Sequence, residues 1–124
     1  MRYLKIYKKN FVYLGKDLGS TIEAKLIPAN IRIIRWNMGR VVDEREWRDM
    51  NRLPPGWEPA YDVDLRLRGG LHRLTIHSAT AIRDFQPYLR KLASEGKRLE
   101  DVVTRMTITS RRKLNPSVKF EMVK

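Results

Sequence analysis

The feature that most constrains the fold is a period-two alternation over residues 61–78. Val63, Leu65 and Leu67 alternate with Asp62, Asp64, Arg66 and Arg68, the pattern of a strand with one face buried. Gly69-Gly70 follows, a dipeptide suited to a two-residue turn at positive φ, and residues 71–78 return as a second strand. Closing the hairpin on those glycines sets Leu65 opposite Leu74 and Val63 opposite Ile76, so both strands put their apolar residues on one face. The other face then holds Asp64 opposite Thr75, Asp62 opposite His77, and Arg66 opposite Arg73. Two like charges face to face are unfavourable, which points to an anion between Arg66 and Arg73.

The same period recurs along the chain. Residues 102–109 place Thr104, Met106 and Ile108 against Arg105, Thr107 and Thr109, and residues 117–123 place Val118, Phe120 and Met122 against Lys119 and Glu121. The intervening residues 110–116 form a basic loop around Arg111, Arg112 and Lys113. Towards the N-terminus, Ile22, Ala24 and Leu26 alternate with Glu23 and Lys25, and residues 30–36 continue that strand past an irregularity at Pro28. Asn37-Met38-Gly39 is a turn into Val41-Val42. Residues 2–7 and 11–14 form a ribbon turning at Lys8-Lys9-Asn10. Residues 43–60 are polar and irregular and end in the proline-rich loop Leu53-Pro54-Pro55-Gly56-Trp57-Glu58-Pro59.

One window departs from this period. Ile82, Phe85, Leu89 and Leu92 recur at helical spacing, with Ser78 or Thr80 as cap and Gly96 as stop. Pro87 lies inside the pattern, so the spacing predicts a short first turn, a break, and a helix over residues 86–95. The fold class is therefore mainly β with one helix (α+β). A chain of 124 residues makes one domain over residues 1–124, divided into an N-terminal ribbon extension (1–19) and a body (20–124).

Charge limits the partners. The 26 Lys and Arg outnumber the 14 Asp and Glu, giving +12. The excess is spread along the chain, with twelve basic against seven acidic residues over 1–60 and fourteen against seven over 61–124, so it belongs to the folded body. Self-repulsion of that size points to a polyanionic partner, with a solubilised surface as the alternative. Sixteen of the cations are Arg, whose planar fork suits phosphate. The absence of Cys excludes disulfides, thiolate zinc sites and a Cys nucleophile, and fits a cytoplasmic setting. No apolar stretch approaches the roughly 20 residues that span a bilayer, and no signal-peptide core follows Met1.

From residue 20 the order is a long bent strand, a long connection, a hairpin, a helix and a last hairpin. This order resembles the OB-fold, a five-stranded Greek-key barrel whose helix lies between the third and fourth strands, here preceded by the N-terminal ribbon. The resemblance covers about 105 residues and rests on element order. It is similar to small single-stranded-DNA-binding proteins of phage or mobile-element type. The resemblance implies a ligand lying across strands two and three, flanked by the loops between strands one and two and between four and five. On this chain it implies Arg66, Arg68 and Arg73 on the strand face. The first loop would carry Arg40, Arg45, Arg48 and Arg52 with Trp47 and Trp57, and the second Arg111, Arg112 and Lys113.

Single strands need cations for phosphates and exposed rings for bases. Tyr3, Lys5 and Tyr7 alternate to one side of the N-terminal strand, with Leu4 and Ile6 on the other: either an aromatic-basic platform or a cover over a barrel end. Trp47 and Trp57 either stack bases or pin their loop to the body. Trp36, Phe85 and Phe120 belong to the core. The expectation is a non-catalytic protein that binds single-stranded DNA, without cofactor or metal and without a membrane, with self-association open. An RNA-binding or ribosome-associated factor is the alternative. So is a small metal-dependent nuclease or toxin using Asp62, Asp64 and His77, although two aspartates beside arginines are ordinary strand chemistry. No phosphate-binding glycine loop or paired-His metal motif occurs.

Overall fold

The computed structural model describes residues 2–7, 10–49, 52–67, 70–112 and 115–123, with the main chain alone for 110–112, 115 and 116. The architecture is mainly β with one α-helix. The strands are β1 (Arg2–Tyr3), β2 (Lys5–Tyr7), β3 (Asn10–Tyr13), β4 (Lys16–Asp17), β5 (Thr21–Asn37), β6 (Arg40–Glu46), β7 (Trp57–Leu67), β8 (Gly70–His77), β9 (Val103–Arg112) and β10 (Asn115–Val123). A π-helical segment (Thr80–Phe85) runs into the helix α1 (Gln86–Ser94), and a 3-10 turn (Leu99–Asp101) leads into β9.

β5 organises the larger sheet. Its first part pairs with β9, its middle with β7 and its end with β6, in the order β1-β8-β7-β5-β9-β10 with β6 as a branch. The ladder to β7 slips between Pro28 and Asn30, because Pro28 has no N–H to donate. The slip changes which residues reach the common core: Ile22, Ala24 and Leu26 before it, Ile31 and Ile33 after it, while the buried Ile34 lies outside that cluster. Strands β2, β3 and β4 form a separate three-stranded sheet, docked by Leu4 and Phe11 in the common core and by the Tyr13 and His72 rings, 4.7 Å apart. The ribbon extension is thus tied to the body, and β1 runs parallel to β8. The larger sheet is not closed into a barrel; β1 with β8 and β10 are its two edges.

The helix covers the gap beside those edges. Ala81, Phe85, Tyr88 and Leu92 face inward, and Phe85 packs on Tyr61 and Phe120 with ring centroids 5.2 and 5.0 Å apart. Pro87 cannot donate a helical hydrogen bond, and the turn before it is widened to π geometry. That widening moves the inward stripe from Ile82, which is 46% exposed, to Ala81. Neither Ser78 nor Thr80 caps the helix; Ser78 sits at φ 57 and donates its hydroxyl to Glu58 Oε2 at 2.6 Å. Asp84 Oδ2 accepts from the Val118 N–H at 2.9 Å, fastening the helical segment to β10.

Several expectations change. The central hairpin pairs Val63 with Leu74, Asp62 with Thr75 and Asp64 with Arg73, two residues away from the register predicted above. A slip of two keeps the apolar face and exchanges the Arg66–Arg73 repulsion for an ion pair, so no anion is needed there. Residues 43–46 and 57–60 are strand, leaving a shorter irregular stretch between β6 and β7. Residues 110–112 and 115–116 extend β9 and β10, so most of the basic loop is ladder. Trp36 is 37% exposed and lies beside His77, ring centroids 5.9 Å apart, instead of entering the core.

Candidate nucleic-acid interface

The N-terminal strands sort their side chains by parity. Leu4 is 5% exposed, while Tyr3 and Tyr7 are 56% and 59% exposed with the exposed Lys5 between them. Main-chain pairing fixes this orientation: Arg2 and Tyr3 pair with His72 and Arg73, and the Leu4 N–H donates to the Arg73 carbonyl at 2.8 Å. The Tyr3 ring therefore sits beside Arg73 at the sheet edge. β8 runs four residues beyond its last pairing with β1. Arg73 turns its main-chain groups towards β1, so alternation along β8 turns those of Thr75 and His77 to the same edge. A cleft of about 480 Å³ opens there, with Tyr3, Lys5, Arg73, Thr75 and His77 among its polar lining and Leu74, Ile76 and Phe120 among its apolar lining.

The outward face of β7 and β8 is electrostatically balanced. Arg73 grips Asp64 with two hydrogen bonds of 2.8 and 3.1 Å. Asp62 takes Arg32 Nε and Nη2 at 3.0 Å each, the Thr75 hydroxyl at 2.7 Å and Asn30 at 3.5 Å. Burial opposes ionisation of Asp62, but the hydrogen bonds from Arg32 and Thr75, the Arg32 charge and the Asn30 contact outweigh it and hold the carboxyl below its ordinary value. Burial lowers His77 below the ordinary imidazole value; Glu58 opposes this and Arg32 adds to it. The Ser78 hydroxyl is committed to Glu58, so the His77 Nδ1 at 2.8 Å is the donor to Ser78 Oγ. Asp62 and Asp64 are thus occupied by guanidinium groups, and no group of three His, Asp or Glu among the described residues is placed to hold a metal ion.

The predicted site residues divide by place. Tyr3, Lys5 and Arg73 line one cleft, with Arg73 committed to its ion pair, and Tyr7 lies further along the ribbon, paired with Asn10. Arg66 is exposed near the far end of β7, and Arg2 lies across Gly70, where a Cβ would meet its Nη1 at 2.7 Å. Trp47 is 8% exposed, packs on Tyr61 and donates its indole N–H to the Arg52 carbonyl at 3.0 Å, so it pins its loop and is withdrawn from solvent. Arg52 is exposed, and exposed Arg48 lies 3.7 Å from Glu46. Trp57 is half-buried, with the guanidinium groups of Arg35 and Arg45 5.6 and 5.1 Å from its ring. Trp57 and Arg66 stand nine residues apart on β7, about 30 Å along a strand, so they serve different ends of the molecule. Arg68 and Lys113 lie outside the described residues, as do the side chains of Arg111 and Arg112. Sequence reading missed Arg35 against Trp57 and Arg2 against Gly70, since both follow from strand register.

No helix among the described residues is long and apolar enough to cross a membrane. No family model, curated protein or solved structure matches the chain.

Proposed function

We propose that this chain is a non-catalytic nucleic-acid-binding protein that takes single-stranded DNA along the outward side of its N-terminal ribbon and the adjoining edge of β8. The observation that carries this reading is the pair of exposed rings, Tyr3 and Tyr7, flanking Lys5 on a segment whose intervening Leu4 and Ile6 turn to the core. Rings turned to solvent beside a cation are what sequence-tolerant base stacking requires. The +12 charge supplies the attraction for phosphates. Arg2, Lys5 and Arg66, exposed and without an ion pair among the described residues, take the backbone. Arg73 holds Asp64 and orients the surface beside Tyr3.

An OB-like frame, open between β8 and β10, is part of the proposal; its support is a strand order in which β5, β7 and β8 form a meander, the helix follows, β9 returns beside β5 and β10 beside β9. Titration of a fluorescent thymidine oligonucleotide, the matched RNA and a duplex, by anisotropy at several salt concentrations, tests the reading. Preference for single strands supports it; equal affinity for duplex overturns it.

A further inference from the structure

Two hairpins place a bulky apolar residue where the turn itself favours Asn, Asp or Gly. The turn between β5 and β6 is Met38-Gly39, with φ of 52 and 76, and that between β3 and β4 is Leu14-Gly15, with φ of 48 and 75. Positive φ at both central residues is the type I′ hairpin turn, in which a long side chain at the first position is unfavourable. Met38 is 97% exposed and Leu14 87% exposed, so burial does not call for these side chains either. A cation, Arg40 or Lys16, follows each turn.

The Met38 hairpin is the more developed. Trp36, Val41 and Val42 are also exposed, which gathers four large apolar residues within residues 36–42. The carboxylates of β6 are neutralised: Glu44 by Arg32 at 3.1 Å, Asp43 by Arg45 at 3.3 Å and Glu46 by Arg48 at 3.7 Å. Towards the tip, Arg40 is exposed and has no ion pair among the described residues. The arm is anchored at its root, where Arg32 bridges Glu44 of β6 to Asp62 of β7, and Arg35 and Arg45 lie against Trp57.

We infer that this arm is a duplex-opening wedge. Met38 enters between base pairs where double-stranded nucleic acid meets single-stranded, and Arg40 holds a flanking phosphate. The inference rests on the nucleic-acid reading above and adds an activity that single-strand binding does not need. Apolar side chains inserted into a base step unstack it, and the freed strand is captured by the ribbon. A tip one side chain wide matches one base step, whereas burial of so few apolar groups holds a protein to a lipid surface weakly.

The test uses a forked DNA with 2-aminopurine at the junction pair and a thymidine tail. Met38→Asn is the variant, because Asn-Gly is the favoured dipeptide of this turn and the hairpin keeps its conformation. Wild-type protein raises the junction fluorescence. In Met38→Asn the rise falls to about a tenth or less, while affinity for a thymidine single strand changes by less than about threefold. An equal rise in the variant with single-strand binding intact overturns the wedge and leaves the single-strand reading standing. Wild-type protein that binds no single strand overturns both. Met38-dependent binding to vesicles of phosphatidylserine and phosphatidylcholine, without a junction signal, assigns the tip to lipid and overturns the wedge.

Discussion

Replacing Arg32 by Met strips the guanidinium from a carboxylate that hardly reaches water. The Asp62 side chain is 6% exposed and Arg32 25%. Removing one partner of a buried pair costs about 3–5 kcal/mol. Thr75 and Asn30 continue to donate to Asp62, and Arg32 is partly hydrated, so the lower end, about 3 kcal/mol, applies. On a domain of this length that lowers Tm by roughly 10–12 °C. The loss carries a pH signature. In the wild type the folded carboxyl lies below its unfolded value, so its stabilisation is present above the unfolded pKa and is lost as pH falls through the folded one. In the variant, burial prevails over the two remaining hydrogen bonds and the folded pKa rises above the unfolded value of about 4. The destabilisation is then full at neutral pH and shrinks as the carboxyl is protonated. Urea unfolding followed by Trp fluorescence, at pH 7 and at about pH 3.5, measures both effects. A loss under about 1 kcal/mol at pH 7, or an equal loss at both pH values, refutes the clamp.

Tyr88→Phe deletes the buried hydrogen bond between Tyr88 Oη and Thr104 Oγ1, 2.7 Å long, and leaves the fully buried Thr104 hydroxyl without it. Stability falls by about 1–3 kcal/mol in urea unfolding, and Thr104→Val in the same background restores part of it. Trp47→Phe removes the indole bond to the Arg52 carbonyl and costs about 1–2 kcal/mol. Its single-strand affinity stays within about twofold of wild type by anisotropy, because the ring is withdrawn from the surface.

Strands were legible in the sequence wherever one face is buried. Ile22, Ala24 and Leu26, then Thr104, Met106 and Ile108, alternate in the chain and are buried in the fold. Register was not, because a slip of two leaves that alternation unchanged; only charge pairing, which sets Arg73 opposite Asp64 instead of Arg66, separates the two. β6 was illegible for a different reason. Asp43-Glu44-Arg45-Glu46 has no apolar face, and the strand is held by its ladder to β5 and by the Arg32–Glu44 pair across it. The Tyr3, Lys5 and Tyr7 surface was visible through its parity with Leu4. The commitment of Arg73 to Asp64 and the withdrawal of Trp47 depend on contacts between distant segments, which local pattern does not carry.

Single-strand affinity of wild-type protein beside a Tyr3→Leu/Tyr7→Leu double variant tests the central claim most directly. The account predicts that wild type binds a thymidine oligonucleotide with a log–log salt slope of roughly −3 to −5, at about 0.7 per phosphate neutralised. With each ring about half exposed, stacking contributes near the low end of about 1 kcal/mol per base, so the double variant binds about 30-fold more weakly. Its Tm stays close to wild type, since both rings face solvent. Equal affinity of the two proteins, or no binding by wild type at low salt, contradicts the account.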